Sequence, residues 1–269
     1  MELRDKVVAL TGASGGIGTA LAVALNQQGA RLALLDVDAE GLRQLRAAHQ
    51  WATPPLLLPG DITNEASCVA QFQAITEHWG GVDVLVNNAG VSHRSLFEET
   101  EKSVLRKVME VNFFGAVNCT QAALPSLLER KGSVVAISSV AGFAPLVGRT
   151  GYCASKHALE GFMGALRSEI GHRGVGVLVV CPAFTDTRLK ERAFGGDGET
   201  LNSQARAVSG RVLTPTEVAT GVIRAIRRDR CRLLLPAVSR ISYYLSRLMP
   251  GLYQRLMLRT QRVEFPLER

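Results

Sequence analysis

A tyrosine and a lysine stand one helical turn apart in GYCASKHALEGF, residues 151–162. At i and i+4, Tyr152 and Lys156 leave the same face of a helix, so that ring and ammonium meet. A free phenol, with a pKa of about 10, is a poor acid or base near neutrality, but a fixed cation beside it favours the phenolate. Taken alone the pair describes a surface contact. Other stretches of the chain give it something to react with.

TGASGGIG (11–18) follows a β-branched run and opens an amphipathic one. Gly12, Gly16 and Gly18 suit a tight turn from strand into helix, with Ser14 and Ile17 lining it. The backbone N–H groups at the helix start can then hold a pyrophosphate. Asp36 closes the next apolar run, 18 residues beyond Gly18. An acid near that distance hydrogen-bonds the ribose hydroxyls of NAD and repels the 2′-phosphate of NADP. No Arg or Lys lies inside the glycine turn or just after Asp36, so NAD(H) is expected in preference to NADP(H).

These residues need a frame, and apolar runs supply it. The runs at 6–12, 30–36, 56–61, 82–90, 132–139 and 175–182 predict six buried strands, and CRLLLP (231–236) a seventh. Their near-continuous apolarity means both faces are covered, as in a parallel sheet. Helical stretches at 16–28, 39–49, 64–79, 102–129 and 152–172 separate them. Thr214, Pro215 and Glu217 start a later helix with a capping box. The alternation predicts an α/β chain: a single-domain, Rossmann-type, doubly wound parallel sheet over residues 1–236. Residues 237–269 form a separate extension.

The chain has 269 residues, 46% hydrophobic and 20% charged, with mean hydropathy +0.11. That is enough apolar material for one large core. The five cysteines (68, 119, 153, 181, 231) are odd in number and form no CxxC, which points to free thiols in a reducing compartment. The five histidines show no metal-binding spacing, so no metal is expected. MELRDKVVALTG runs almost directly into a strand, and no apolar stretch approaches the roughly 18 residues of a membrane span. A cytoplasmic location is expected. The net charge is +7, but the segment from Val222 onward carries 11 Arg and 3 acids, a balance of 11 − 3 = +8. The preceding 221 residues therefore balance at 7 − 8 = −1.

Taken together, the motifs resemble the short-chain dehydrogenase/reductase family, from about residue 5 to 235. TGASGGIG is similar to that family's TGxxxGxG cofactor turn, which assigns Gly12, Ser14, Gly15, Gly16, Ile17 and Gly18 to the dinucleotide. Asp61 and Ile62 resemble the adenine contact, and Asn88, Ala89 and Gly90 lie in NNAG, like its fourth-strand signature. The resemblance implies a catalytic set of Asn112, Ser139, Tyr152 and Lys156. Ser139 is chosen over Ser138 because it precedes Tyr152 by the family's usual 13 residues. Tyr152 would be the general acid/base of an alcohol–carbonyl oxidoreductase, acting on CH–OH groups with NAD(P). Ser139 would bind the substrate oxygen. Lys156 would hold the nicotinamide ribose and, with the oxidised ring, lower the phenol's pKa. Asn112 would hold a water through which Lys156 exchanges protons. Pro182 and Phe184 would line the nicotinamide site, and Thr187 would hold its carboxamide. Ala183 departs from the family's Pro-Gly, which puts the path of that loop in question, because alanine does not take a glycine-only conformation cheaply. A catalytically weak dinucleotide-sensing protein on the same fold is the alternative.

Residues 186–212 are polar, contain Gly195, Gly196 and Gly198, and read as a substrate lid. His93 and Arg94 read as an exposed loop pair, and Cys153 as a small packing residue. In the extension, Val238, Ile241, Leu245, Leu248, Met249 and Leu252 follow helical spacing, with Arg240 and Arg247 on the other side. That face suits its own domain, a neighbouring subunit, or an anionic membrane surface. The membrane case makes a lipophilic substrate natural: a steroid, retinoid or fatty alcohol or ketone. No motif for nucleic acid accompanies the charge. The resemblance implies a homodimer or homotetramer through the helices at 102–129 and 152–172.

Overall fold

The computed structural model describes residues 1–186, 193–201 and 211–261, with Thr260 and Gln261 described by backbone alone. Strands β1 (Val7–Thr11), β2 (Arg31–Asp36), β3 (Leu56–Pro59), β4 (Val84–Asn87), β5 (Ser133–Ile137), β6 (Gly176–Pro182) and β7 (Arg232–Leu235) form one sheet. Its order is β3-β2-β1-β4-β5-β6-β7, with every pairing parallel. The order reverses between β1 and β4, which opens a crevice at the carboxyl ends of those two strands.

Alternate residues of each strand face opposite layers. Val7, Ala9, Ala33 and Leu35 pack against α3 (Glu65–Trp79), α5 (Gly115–Glu129) and α6 (Thr150–Ile170). Val8, Leu10, Leu32 and Leu34 pack against α1 (Gly16–Gln27), α2 (Ala39–Ala48) and α7 (Pro215–Arg227). Strands β1 and β4 are buried at every residue, which explains why they read as continuous apolar runs.

Local signals set the helix ends. Asp38 caps α2 by accepting from Gly41 N at 2.9 Å, and Asn64 caps α3 by accepting from Ser67 N at 3.0 Å. The capping box of Thr214 and Glu217 is formed at the start of α7. The helix expected over 102–129 is interrupted: α4 (Lys102–Met109) meets α5 through a π-helical turn, Glu110–Phe114, which contains Asn112.

The extension folds into α8 (Val238–Leu248) and α9 (Pro250–Gln261), broken at Pro250. Tyr243, Leu245, Tyr253 and Met257 turn inward onto the core beneath α5 and α6. Tyr243 meets Phe143 edge-on, with ring centroids 5.1 Å apart. Val238, Ile241, Tyr244, Leu248, Met249, Leu252 and Leu256 remain exposed, so the segment has two apolar faces. Among the described residues no helix is long and apolar enough to cross a membrane. Much of the expected lid, 187–192 and 202–210, lies outside the described residues. Its middle part is laced to the loop after β4. Phe194 N donates to Ser92 O at 2.9 Å, Arg94 N to Phe194 O at 2.8 Å, and Glu101 N to Gly196 O at 2.8 Å.

Candidate active site

The glycine turn occupies the crevice where β1 ends. Gly12 has φ +64°, and a Cβ there would lie 2.7 Å from Ala89 Cα. A Cβ on Gly18 would run into the Gly12 carbonyl oxygen. Both positions therefore exclude a side chain. Gly15 is the N-cap of α1, with no side-chain cap and no acid in the first turn. The N–H groups of Gly16, Ile17 and Gly18 thus lack intrahelical acceptors and face the crevice end of the helix dipole. This cradle fits the pyrophosphate of a dinucleotide.

Asp36 ends β2 beside the turn, where its Oδ2 accepts from Ser14 N at 2.9 Å and Ser14 Oγ at 2.7 Å. Its Oδ1 accepts from Asp38 N at 3.1 Å. Asn88 Nδ2 donates to Thr11 O at 2.9 Å and Gly12 O at 3.0 Å, pinning the turn to the end of β4. Thr11 Oγ1 accepts from the N–H groups of Asn88 and Ala89, each at 3.0 Å. Thr11 is a brace that the sequence reading missed; its place at the start of the TGxxxGxG turn was the available signal. Asp61 is exposed and accepts from Thr63 N at 2.9 Å. Ile62 is buried against Gly115, and its carbonyl accepts from Asn118 Nδ2 at 3.0 Å.

Ser139, Tyr152 and Lys156 converge next to this cradle. Ser139 follows β5 and caps a short 3-10 turn, accepting from Ala141 N at 3.1 Å. Its side chain also acts on the Tyr152 phenol, favouring the phenolate. Ser138 points elsewhere and donates to buried Glu160 Oε1 at 3.1 Å, so the structure separates the two adjacent serines. Lys156 is buried, with Nζ donating to Ile137 O at 2.9 Å and lying 5.8 Å from the Tyr152 ring centroid. A Cβ on Gly90 would stand 3.6 Å from that Nζ and 3.1 Å from Asn112 Oδ1, which places the end of NNAG in the same cluster.

Both ends of the Asn112 amide are engaged. Oδ1 accepts from Val91 N at 2.8 Å, while Nδ2 donates to Val91 O at 2.9 Å and to Ser155 Oγ at 3.0 Å. Ser155 Oγ in turn donates to Tyr152 O at 2.9 Å. Asn112 therefore fastens the loop after β4 to the helix that carries Tyr152. Ser155 is a second brace that the sequence reading missed, because nothing in its type distinguishes it from other small helix residues.

The charges differ from the simple expectation. The Tyr152 phenol is pushed up to about 12, chiefly by burial and in part by Cys153, against lowering by Ser139 and by Arg149. Lys156 is not among the groups that lower it, and burial brings the ammonium itself down to about 8, with Cys181 and Glu160 opposing that fall. Desolvation is the largest cause at both groups.

His93 also departs from expectation. It is fully buried rather than exposed, because the returning segment at Phe194 covers its loop. Pro182 ends β6 and is buried. Ala183 is not among the residues with positive φ, and its N–H donates to Leu235 O at 2.7 Å, so alanine fits the loop without strain. The Phe184 carbonyl accepts from Leu213 N at 2.9 Å. Thr187 lies outside the described residues.

A doubly wound sheet with a glycine cradle at its switch point and a serine–tyrosine–lysine cluster beside it defines the class of dinucleotide-binding α/β oxidoreductases. A family model described as short chain dehydrogenase matches residues 6–196, and the chain belongs to that family. Its relatives include dehydrogenase/reductase SDR family member 7B of Mus musculus, 36% identical over 97% of this chain and 83% of that protein. The SDR family protein 7-like of Anopheles gambiae is 35% identical over 95% of this chain and 83% of its own length. A solved short-chain dehydrogenase from Streptomyces avermitilis superposes with TM-score 0.79 at 29% identity, covering 96% of this chain and 97% of that one. Oxidoreductases of this family use NAD(P)(H).

Proposed function

We propose that the chain is an NAD(H)-dependent oxidoreductase that interconverts an alcohol and its ketone or aldehyde, with Tyr152 as general acid/base. The observation that carries this is the convergence of Ser139, the Tyr152 phenol and Lys156 beside the glycine cradle, with Lys156 Nζ 5.8 Å from the ring centroid and Ser139 lowering the phenol. A bound nicotinamide supplies or accepts the hydride and, when oxidised, adds positive charge near the phenol. In reduction, Tyr152 Oη gives its proton to the carbonyl oxygen as negative charge develops there; in oxidation it takes the alcohol proton. Ser139 Oγ hydrogen-bonds the same oxygen and fixes its angle. Donors aimed at that oxygen stabilise the transition state more than the ground state.

Lys156, with its ammonium brought down to about 8, is poised to exchange protons near neutral pH. It would also hold the nicotinamide ribose, while Asn112 keeps the β4 loop and Tyr152 in register. The turn from Gly12 to Gly18 would take the pyrophosphate, with Asp61 and Ile62 at the adenine. Asn88, Ala89, Gly90, Pro182, Phe184 and Thr187 would enclose the nicotinamide side. Asp36 favours ribose hydroxyls over a 2′-phosphate, which supports NAD(H) over NADP(H).

Residues 1–236 form the catalytic domain in this reading, residues about 186–212 the lid, and residues 237–269 a basic extension. Exposed Arg240, Arg247, Arg255 and Arg259 accompany the outer apolar face, with no carboxylate between Asp229 and Glu264. Two copies of so basic a face would repel each other, which favours an anionic lipid surface as its partner and a lipophilic substrate. Subunits would pair through α5 and α6 instead. NAD⁺ reduction against a panel of secondary alcohols tests the function. Turnover of at least one is expected; tight NADH binding without any turnover would favour a dinucleotide sensor.

A further inference from the structure

Glu160 lies one turn beyond Lys156 on α6, a buried carboxylate that the proton transfer described above does not use. At i and i+4, Lys156 and Glu160 leave the helix on the same face, and both turn inward. They grip consecutive residues at the end of β5. Lys156 Nζ donates to Ile137 O at 2.9 Å, and Glu160 Oε1 accepts from Ser138 Oγ at 3.1 Å. The residue that follows is Ser139. The 3-10 turn that Ser139 caps, Val140–Gly142, closes over this contact: a Cβ on Gly142 would run into both Glu160 Oε1 and Ser138 Oγ. Cys181 Sγ of β6 donates to the same carboxylate oxygen at 3.3 Å.

The second carboxylate oxygen is tied towards the extension. Arg232, the first residue of β7, donates from Nη1 to Glu160 Oε2 at 2.6 Å. Its guanidinium carbon lies 5.1 Å from the centroid of the Tyr243 ring on α8, and that of Arg247 lies 4.3 Å from the same centroid. Both distances fall within the roughly 6 Å of a cation–π contact. Tyr243 also meets Phe143, the residue that follows the 3-10 turn. A continuous set of contacts thus runs from α8 through Arg232 and Glu160 to the neighbour of Ser139. Stability alone does not call for a buried ion pair here, because apolar side chains of similar volume often serve as well or better. What the pair supplies is direction: one oxygen is aimed at the end of β5 and the other at β7.

We propose that Glu160 is a positioning residue for the proton transfer, holding Ser139 through Ser138 in register with Tyr152 and Lys156, and that Tyr243 of the extension completes this support by steadying Arg232. The inference rests on the oxidoreductase function proposed above. It makes α8 part of the catalytic architecture, whatever its outer face binds. A misplacement of about 1 Å among reacting groups can cost about a hundredfold in rate, so the link between the end of β5 and α6 bears directly on turnover.

The test follows oxidation of the secondary alcohol that the full-length wild type turns over fastest, in wild type, Glu160→Gln, Tyr243→Leu and Tyr243→Phe. Turnover is expressed per NADH-binding site, counted by fluorescence titration. Glutamine keeps the shape of Glu160 but has one amide oxygen, so it cannot accept from Ser138 and Arg232 at both ends. The kcat per site should fall about tenfold in Glu160→Gln and about fivefold in Tyr243→Leu, with alcohol KM and NADH affinity within about threefold of wild type. Tyr243→Phe keeps the ring face and should hold about half or more of the wild-type kcat. A merely structural role would lower the melting temperature or the number of NADH-binding sites and leave kcat per site alone. Wild-type kcat per site in Glu160→Gln or Tyr243→Leu, equal rates for Tyr243→Leu and Tyr243→Phe, or losses confined to KM would each overturn the inference. Tyr243 is half-buried, so its two variants decide the matter if Glu160→Gln does not fold. Wild-type protein that binds NADH yet oxidises no alcohol removes the underlying oxidoreductase function instead, a result distinct from the others.

Discussion

The Asp36 carboxylate accepts both hydrogens that Ser14 presents, the amide at 2.9 Å and the hydroxyl at 2.7 Å. The end of β2 is thereby tied to the glycine turn at the opening of α1, and a negative charge is fixed where an adenosine ribose would come to rest. NADH should bind at least about tenfold more tightly than NADPH. Asp36→Ala should weaken NADH binding by about tenfold, the scale of one charge-assisted hydrogen bond, and narrow the preference. Titration by cofactor fluorescence measures both; NADPH binding tenfold tighter than NADH in the wild type would sink the assignment.

Tyr152→Phe removes the one hydroxyl placed to move a proton and keeps the ring. NADH affinity should stay within about threefold of wild type while turnover falls by more than about a hundredfold, the usual scale of general acid–base catalysis. Retention of more than about a tenth of the wild-type rate would exclude Tyr152 as the donor.

Gly18→Ala places a methyl group against the Gly12 carbonyl oxygen, which is backbone and cannot move aside cheaply. Overpacking of this kind costs about 1–3 kcal/mol. Urea denaturation should report that loss, and NADH binding should fall with it because the displaced turn is the phosphate cradle. A variant as stable and as well bound as the wild type would contradict the geometry.

His93 carries an acid-lability. Its imidazole is held to about 4 in the folded protein, by burial first and then by Arg149, against about 6.5 in an unfolded chain. Between those values the unfolded chain binds a proton that the folded one does not, so stability falls as pH drops from about 6.5 towards 4. The full difference corresponds to about 3 kcal/mol. His93→Leu should lose stability less steeply than the wild type between neutral pH and pH of about 4.5. Parallel stability curves across that range would show that His93 takes up its proton alike in the folded and the unfolded chain.

Vesicles test the outer face of α8 and α9. The full-length chain should co-sediment with anionic vesicles at low salt and leave neutral ones in solution. Ile241→Asp with Leu248→Asp, at two exposed apolar sites, should weaken that binding by about tenfold or more. A chain that binds neither vesicle type at low salt, or that instead sediments as a dimer broken by these substitutions, would assign the face to another partner.

Much of the sheet was legible because a buried parallel strand must be apolar on both sides. Val7–Thr11 and Gly176–Pro182 lie within the runs that predicted them. The glycine turn was legible because only glycine fits where Ala89 and the Gly12 carbonyl crowd the backbone. Tyr152 and Lys156 could be paired because i and i+4 is a local relation. Ser139 over Ser138 rested on spacing to Tyr152, and tertiary structure gave the physical ground: Ser138 faces Glu160, which also pairs with Arg232 Nη1 at 2.6 Å.

What only the tertiary structure decided depends on contacts between segments far apart in the chain. The burial of His93 comes from Phe194, the engagement of Asn112 from Val91 and Ser155, and the inward turn of Tyr253 from the core beneath α6. The ionisation of the site belongs with these. An i,i+4 pattern states that a phenol and an ammonium are neighbours, but it carries no information on how much water each retains. Here burial raises the first and lowers the second, and that balance exists only once the sheet and its helices have closed around them.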